Sequence, residues 1–422
     1  MANNNKIKSI LREVLKEIQP DEDYEKEIFA RLNTIIKKIN SGQKNIKAVL
    51  GGSGAKGTWL KTFDADIFVL FDYKKYRDKS SELSEILEKI LKKKFSKIIR
   101  LHGSRDYFQI KEGKFTFEIV PILNIKKAEQ AKNITDVSPL HSGWVGKRKK
   151  LVNDMKLTKQ FCQSQNVYGA ESYIRGFSGY VCEILAVHYG SFQNLLKNAA
   201  KWPDKVVVDV QKYYKGKDVF KIMNVSKLES PLIVIDPVQK DRNAAAALSM
   251  EKFEAFRKAS SQFLKNPSME FFGRKELSRE FAGFKNDKCK MLEIKISPLP
   301  GKIDVVGSKL LKSQEFLLNN LIQNGFKILR SGWEWDKKND AVFYFLIDKK
   351  PLTLEIKVEG PPLKIKHHAE RFRKLHKKTF EKSGKLWAII RRKFILPEEL
   401  VKSLLKNPFV AERIKSSKII SK

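Results

Sequence analysis

Residues 51–71 set a run of small residues, Gly51-Gly52-Ser53-Gly54-Ala55-Lys56-Gly57-Thr58, shortly ahead of Asp64-Ala65-Asp66, which opens into the apolar stretch Ile67 to Phe71. Lys47–Leu50 reads as a short strand just before the glycines. A chain with this order must hold a tight, small-residue loop between two strands. Side chains alternate along a strand, so Asp64 and Asp66 are expected on one face, about 7 Å apart. The loop presents backbone N–H groups suited to a polyphosphate, and the acid pair suits a hard cation. An Asp-x-Asp alone is common at ordinary strand ends. Behind the glycine–serine loop it points to nucleotidyl transfer on magnesium, which commonly employs two ions about 4 Å apart.

A third carboxylate is expected from a neighbouring strand, and Lys114–Pro121 supplies Glu118. Alternation sends Phe115, Phe117 and Ile119 to one face and Thr116, Glu118 and Val120 to the other. A Glu within an apolar strand is costly to bury without a partner. A metal site, an exposed edge or a salt bridge would each account for it.

The periodicity predicts an amphipathic helix on Ile7, Ile10, Leu11, Val14, Leu15 and Ile18, and a second after Asp21 on Ile28, Leu32, Ile35, Ile36 and Ile39. Further strands are expected at Ile67–Phe71, Phe108–Ile110 and Phe115–Ile122, with a helix at Leu83–Leu91. Beyond Lys147 the pattern turns helical: Leu151–Ser164, Gly179–Tyr189, and Ala244–Leu264 with Asn243 as its cap. Ile233–Ile235 reads as a strand. The last third mixes strands at Met291–Ile296, Val342–Ile347 and Leu352–Val358 with a helix at Ser313–Asn324. The reading is an α+β multidomain chain with an α/β domain at 1–146, a mostly helical segment at 147–266, and a mixed segment ending in a very basic stretch at 267–422.

Lys and Arg number 84 against 48 Asp and Glu, a formal net charge of +36, so a polyanionic partner is expected, most simply nucleic acid. Cys162, Cys182 and Cys289 show neither disulfide nor metal spacing and none reads as a nucleophile, which suits a reducing cytoplasm. Met1–Asn5 leads directly into a charged helix rather than a signal peptide, and no apolar run is long enough for a bilayer; no membrane partner is expected.

The loop with Asp64 and Asp66 resembles the nucleotidyltransferase superfamily of DNA polymerase beta type, which includes the 2′-5′ oligoadenylate synthetases. Ser138-Pro139-Leu140-His141, Val167-Tyr168-Gly169-Ala170-Glu171, Arg175-Gly176-Phe177-Ser178-Gly179-Tyr180 and Asp236-Pro237 with Arg242-Asn243 occur in the order found in archaeal, class I CCA-adding enzymes. Gly360-Pro361-Pro362 and Ala369-Glu370-Arg371-Phe372 fit the same family, so the resemblance covers most of the chain. It implies a polymerase-beta-like head with a small mixed sheet, a helical neck, an α/β body and a basic tail. It further implies addition of C, C and A to a tRNA 3′ end from CTP and ATP, with two Mg2+ ions. By position, Asp64, Asp66 and Glu118 would be the catalytic, metal-binding acids. Ser53, Lys56, His141, Lys159 and Tyr168 would meet the triphosphate, and Arg242 the incoming base, helped by backbone phosphates of the tRNA end. The family also suggests a homodimer. The rival readings are a poly(A) polymerase or oligoadenylate synthetase-like enzyme, and an RNA-binding protein with a degenerate catalytic site.

Taken without the resemblance, Lys159 is a lysine of a basic helix, Tyr168 a core or turn aromatic, and His141 a loop side chain. Arg242 ahead of the helix expected from Ala244 would be disfavoured by the helix dipole, which argues for a functional reason. The chain departs from the family pattern at Lys56, where arginine is usual, at Gly54, where an aromatic is usual, and at Ser138, where threonine is usual. Its acids run Asp-x-Asp then Glu, against Glu-x-Asp then Asp. Lysine neutralises a phosphate but lacks arginine's bidentate fork.

Lys364, Lys366, Arg371, Arg373, Lys374 and Lys377 crowd what reads as one helical segment, and Arg391 and Arg392 follow Trp387. Such density favours phosphate contacts that set position rather than read sequence. The family implies that this region cradles the acceptor stem and T-arm of tRNA, recognised by shape. His367, His368 and His376 have no cysteine or acid to complete a zinc site.

Overall fold

The computed structural model describes residues 2–61, 65–273 and 288–421, and falls into two compact units, Met1–Arg274 and Lys275–Lys422. Asp64 lies outside the described residues.

The first unit begins with α1 (Ala2–Ile18) and α2 (Glu22–Asn40). Asp21 starts α2 as its N-cap, its carboxylate accepting the Asp23 N–H at 2.9 Å. Then follow β1 (Ile46–Leu50), the short α3 (Gly52–Lys56), β2 (Ala65–Asp72), α4 (Tyr73–Tyr76), α5 (Leu83–Lys94), β3 (Ile99–Leu101), β4 (Tyr107–Glu112) and β5 (Phe115–Asn124). The five strands form one mixed sheet in the order β1-β2-β5-β4-β3, with β2 and β5 parallel and the other pairs antiparallel. One face buries Ile67, Val69, Phe71, Phe117 and Ile119 against Ile28, Leu32 and Ile35 of α2 and Leu83, Leu87 and Leu91 of α5. The opposite face carries Asp66 and Glu118.

A buried ion pair ties this sheet to the segment that follows. The Arg105 guanidinium pairs with Asp136, which is fully buried, and also donates to the Pro121 carbonyl at 3.0 Å. Asp136 in turn accepts the N–H groups of Leu123 at 2.9 Å, Lys132 at 3.0 Å and Asn133 at 2.9 Å. This carboxylate thereby fixes the entry into α6 (Ser138–Gly146), which bears His141.

A second core gathers α7 (Val152–Ser164), α8 (Gly179–Tyr189) and α9 (Phe192–Ala199), together with Ile7, Ile10, Val14 and Ile18 of α1. Phe161, Phe192, Phe256 and Phe263 dominate it, and are fully buried. Cys162 and Cys182, 20 positions apart, meet here as free thiols with sulfurs 3.7 Å apart. Beyond them β6 (Val206–Val208), β7 (Leu232–Asp236) and β8 (Gln239–Asn243) form a three-stranded sheet with β7 in the centre, and the short α10 (Val219–Ile222) lies between β6 and β7 in the chain.

Asn243 does not cap a helix. It ends β8, and its side-chain oxygen accepts the Val234 and Ala245 N–H groups, both at 2.9 Å, clamping the β7–β8 hairpin. The alanines at 244–247 form turns, and α11 (Met250–Lys265) starts later at the Ser249 cap. Alanine favours a helix, but asparagine's backbone-like amide outcompetes that preference here. Arg242 therefore sits on a strand, and the helix-dipole argument for it falls.

The second unit holds an antiparallel sheet in the order β10-β11-β9-β15: β9 (Cys289–Pro298), β10 (Ile328–Glu334), β11 (Ala341–Asp348) and β15 (Ile414–Ser421). The 21-residue α12 (Ile303–Gln323) buries Leu310, Leu317 and Leu321 in its core. A separate three-stranded sheet contains β12 (Glu355–Pro362), β13 (Thr379–Lys382) and β14 (Lys385–Arg391), with α13 (Lys366–Leu375) against β12. The basic segment is therefore helical for ten residues only. Beyond Leu375 it becomes a hairpin turning at Ser383-Gly384, both at positive φ (51° and 73°), the geometry of a two-residue hairpin turn.

Among the described residues no helix is long and apolar enough to cross a membrane.

Candidate active site

On the open face of the head sheet Asp66 and Glu118 are direct partners in the β2–β5 register, so their carboxylates leave adjacent strands on the same side. The Gln109 amide donates to Glu118 at 2.8 Å from the next strand. The glycine run is not an open loop but the five-residue α3, closed at its end by left-handed Gly57. Its first residue explains the glycines: Gly52 has φ +51°, and a Cβ there would fall 1.7 Å from an Asp66 carboxylate oxygen. The backbone at Gly52 thus lies directly against Asp66. Gly54 is buried against Leu50, where a Cβ would already meet a methyl at 2.8 Å, so this arrangement has no room for an aromatic at 54. Ser53, in the same turn, is half-buried.

Asp66 and Glu118 are hard oxygen donors side by side, the chemistry magnesium prefers. Among the described residues no three His, Cys, Asp or Glu side chains form a metal-holding group. Asp64, the remaining expected ligand, falls outside those residues.

The expected cations gather around two carboxylates, Glu183, which the sequence reading did not single out, and Asp236, which it quoted in a motif without a role. Glu183 on α8 is fully buried, and takes the Lys159 ammonium at 2.7 Å and the Thr58 hydroxyl at 2.6 Å on one oxygen. Its other oxygen takes Lys56 at 2.9 Å. Lys159 also donates to the Thr58 hydroxyl at 2.9 Å and carbonyl at 3.2 Å, so its three protons all have partners within the protein. Lys56 gives Glu183 one proton and lies 5.4 Å from the centre of the Tyr180 ring. Burial raises the Glu183 carboxyl, but the Lys159 and Lys56 charges and the Lys159 and Thr58 hydrogen bonds outweigh it and hold the group below its usual range.

The second hub is Asp236, fully buried at the end of β7. It accepts His141 at 3.0 Å, Arg242 at 2.6 Å, the Tyr180 hydroxyl at 3.1 Å and the Val238 N–H at 2.9 Å. Desolvation again opposes ionisation, and His141, Val238 and Arg242 together lower its carboxyl. Tyr180 joins the two hubs. Its ring lies 4.1 Å from that of His141 between centres, inclined by 30°, and the Lys56 ammonium lies 5.4 Å from the centre of the same ring. Burial raises both the Tyr168 and Tyr180 phenols, which keeps these hydroxyls neutral. Tyr168 is held by a tight loop in which the Gly169 N–H donates to the Phe177 carbonyl at 2.8 Å and the Phe177 N–H to the Val167 carbonyl at 2.7 Å.

Sequence signals for the missed residues did exist. Glu183 stands between Cys182 and Ile184 on an apolar helix, the same anomaly that singled out Glu118 on its strand. Tyr180 lies inside the Arg-Gly-Phe-Ser-Gly-Tyr motif.

Of the eight basic residues expected to contact RNA, Lys364, Lys366, Arg371, Arg373, Lys374, Lys377 and Arg391 are exposed in the second unit. Arg373 is paired with Glu381 at 2.8 Å. Arg392 is half-buried and donates to the Asn324 carbonyl at 2.6 Å, fastening the end of α12.

Family models match in three consecutive segments: a nucleotidyltransferase domain at 31–132, a tRNA nucleotidyltransferase second domain at 153–273, and a CCA-adding enzyme C-terminal domain at 300–417. The CCA-adding enzyme of Nanoarchaeum equitans is 37% identical over 92% of this chain and 96% of its own length. That of Methanocaldococcus jannaschii is 34% identical over 95% and 91%. The chain belongs to the CCA-adding enzyme family. It is a nucleotidyltransferase. The fold extends to more distant proteins: a cytoplasmic RNA terminal U-transferase structure superposes with a TM-score of 0.51 at 14% identity, over 64% of this chain and 99% of that one. The Cid1 poly(U) polymerase does so with 0.51 at 15%, over 63% and 98%.

Proposed function

We propose that this family member adds C, C and A to the 3′ end of tRNA from CTP and ATP, releasing pyrophosphate at each step. The terminal ribose hydroxyl attacks the α-phosphate in line, the bond to the leaving pyrophosphate breaks, and the hydroxyl proton passes to solvent. The observation that carries the reading is the register pairing of Asp66 with Glu118 beside the Gly52 backbone, with Lys56 at the end of the same short helix α3. Asp66 and Glu118, with Asp64, would hold two magnesium ions. Those ions, when bound, supply activation of the hydroxyl and charge neutralisation of the triphosphate.

The chain's own residues then divide the work. The Gly52–Ser53 backbone and the Lys56 ammonium face the phosphates. His141 and Arg242, both held by Asp236, face the nucleotide, with Arg242 toward its base. Lys159 and Tyr168 shape the same wall, and Lys159 acts through Glu183 by holding Lys56 in place. These preset dipoles and charges stabilise the charge developing in the transition state without reorganising. The exposed cations of the second unit, Lys364 to Arg391, would bind the acceptor stem and T-arm. Two copies would form a homodimer in a cytoplasmic setting, checked by sedimentation of the purified protein.

The test offers the protein tRNA trimmed of its last three nucleotides with one labelled nucleotide at a time. CTP must enter before ATP, and extension must stop after one A. An ATP-only ladder would show a poly(A) polymerase instead. RNA binding with no incorporation of any nucleotide would show a degenerate binder.

A further inference from the structure

We propose that the neck carries a second RNA-contact site, separate from the basic face of the second unit, in the loop between β6 and α10. It would take one or two unstacked nucleotides of the RNA substrate. The inference rests on the tRNA reading above. A groove of ≈ 520 Å³ opens here, lined among others by Asp209, Lys212, Tyr214, Lys215, Lys217 and Phe220. The three lysines fall within six residues and are exposed, and among the described residues no ion pair joins any of them to Asp209 or Asp218 of the same lining. Like charges so close repel one another, and Lys212 is also held at φ 56°, outside the conformations lysine ordinarily adopts. Phosphates would relieve the repulsion.

Aromatic faces accompany the charges. Phe220, in the groove lining, is 48% exposed, and Tyr213 of the same loop is 41% exposed. Lysines interleaved with open rings are the elements of single-strand binding, in which the backbone follows the cations and bases stack on the rings. Asp209 fixes the shape of the loop, taking the Tyr214 N–H on one oxygen at 2.8 Å.

The loop is strapped to the candidate active site. The Tyr213 hydroxyl donates to the Pro237 carbonyl at 2.7 Å and that of Tyr214 to the Lys240 carbonyl at 3.0 Å. Both carbonyls belong to the β7–β8 hairpin that presents Asp236 and Arg242. A strand leaving the active site along this hairpin would meet the loop next, which favours RNA over an unrelated protein as the occupant.

The test compares full-length Lys212→Ala/Lys215→Ala/Lys217→Ala, and separately Phe220→Ala, with a control carrying Lys89→Ala/Lys93→Ala/Lys97→Ala. The probe is a tRNA transcript that ends before its C-C-A. The loop triple variant should bind it about tenfold more weakly near 0.15 M salt, with the log–log salt dependence reduced by about 2. Phe220→Ala should weaken binding about fivefold with the salt dependence unchanged, as loss of stacking does. CTP binding without RNA should stay unchanged in both. An equal loss in the control triple, tRNA affinity unchanged in the loop triple, or loss of CTP binding with tRNA affinity intact would each overturn the site. The last result would make the groove a pocket for free nucleotides. A wild-type protein that binds no tRNA would remove the reading beneath it.

Discussion

The same residue types do opposite work in the two units. In the first unit Lys56 and Lys159 have side chains only 11% and 5% exposed, and both share a carboxylate that is wholly buried. In the second, Lys366, Arg371, Lys374 and Lys377 face solvent along and beyond α13. A buried, pre-paired cation is fixed in place, and its interactions are little screened. A solvated one is mobile, and its attraction is largely screened by salt beyond about 8 Å at physiological ionic strength. On the function proposed above, the difference would separate precise positioning of a small substrate from broad attraction of a large polyanion.

The sharpest way to break this comparison is at the acids. Asp66→Ala should reduce nucleotide incorporation about a thousandfold or more, as loss of a metal-binding group in such sites does, with tRNA affinity kept. Equal loss of tRNA binding would mean that the acid serves the fold rather than the chemistry.

Glu183→Gln comes next. It strands two ammoniums at a buried site, and should destabilise the first unit by about 3–5 kcal/mol in a chemical denaturation experiment. A change within the range of an exposed ion pair, about 1 kcal/mol or less, would show that the cluster is not the rigid element described. Acid should reproduce the effect in wild type. Glu183 and Asp236 both have carboxyls held below their usual values, 4.5 and 3.8, in the folded state. Their contribution is therefore complete above those values, and disappears as pH falls through the lower folded ones. The melting temperature should drop steeply below about pH 4, and a Glu183→Gln protein should show a shallower drop. Equal slopes would contradict this.

The smallest effects belong to the exposed face. Lys366→Ala, Arg371→Ala and Lys374→Ala should each lower the salt dependence of tRNA binding by about 0.7–0.9, and leave the folded state untouched. Arg373→Ala should change it less, because Glu381 already neutralises that charge. Arg392→Ala should instead cost about 1 kcal/mol of stability in the second unit with no change in salt dependence, since its guanidinium holds the Asn324 carbonyl. A full salt-slope change for Arg392 would return it to the RNA-contacting set.

Much of this molecule was legible from local pattern. The alternation of Phe115 to Val120 placed Glu118 on the face opposite the core, and the register with β2 puts it beside Asp66. Helix α8 begins and ends at Gly179 and Tyr189, where its apolar run does. Both features depend on period and capping, which act over a few residues. Asn243 misled because its amide bonds to Val234, nine residues back, and sequence periodicity cannot register that bond. The hairpin at Ser383-Gly384 was masked by a lysine density that suits a helix as well as a strand.

By itself, then, the sequence determined the order of elements, the glycines that let the chain approach Asp66, and the family to which the chain belongs. Only the tertiary structure decided which charges meet. Lys56 and Glu183 lie 127 residues apart, and His141 and Asp236 lie 95 apart. Pairings at such separation form when packed helices and strands exclude water around them. A buried carboxylate then has no solvent to turn to, and takes whatever cations the fold brings within reach.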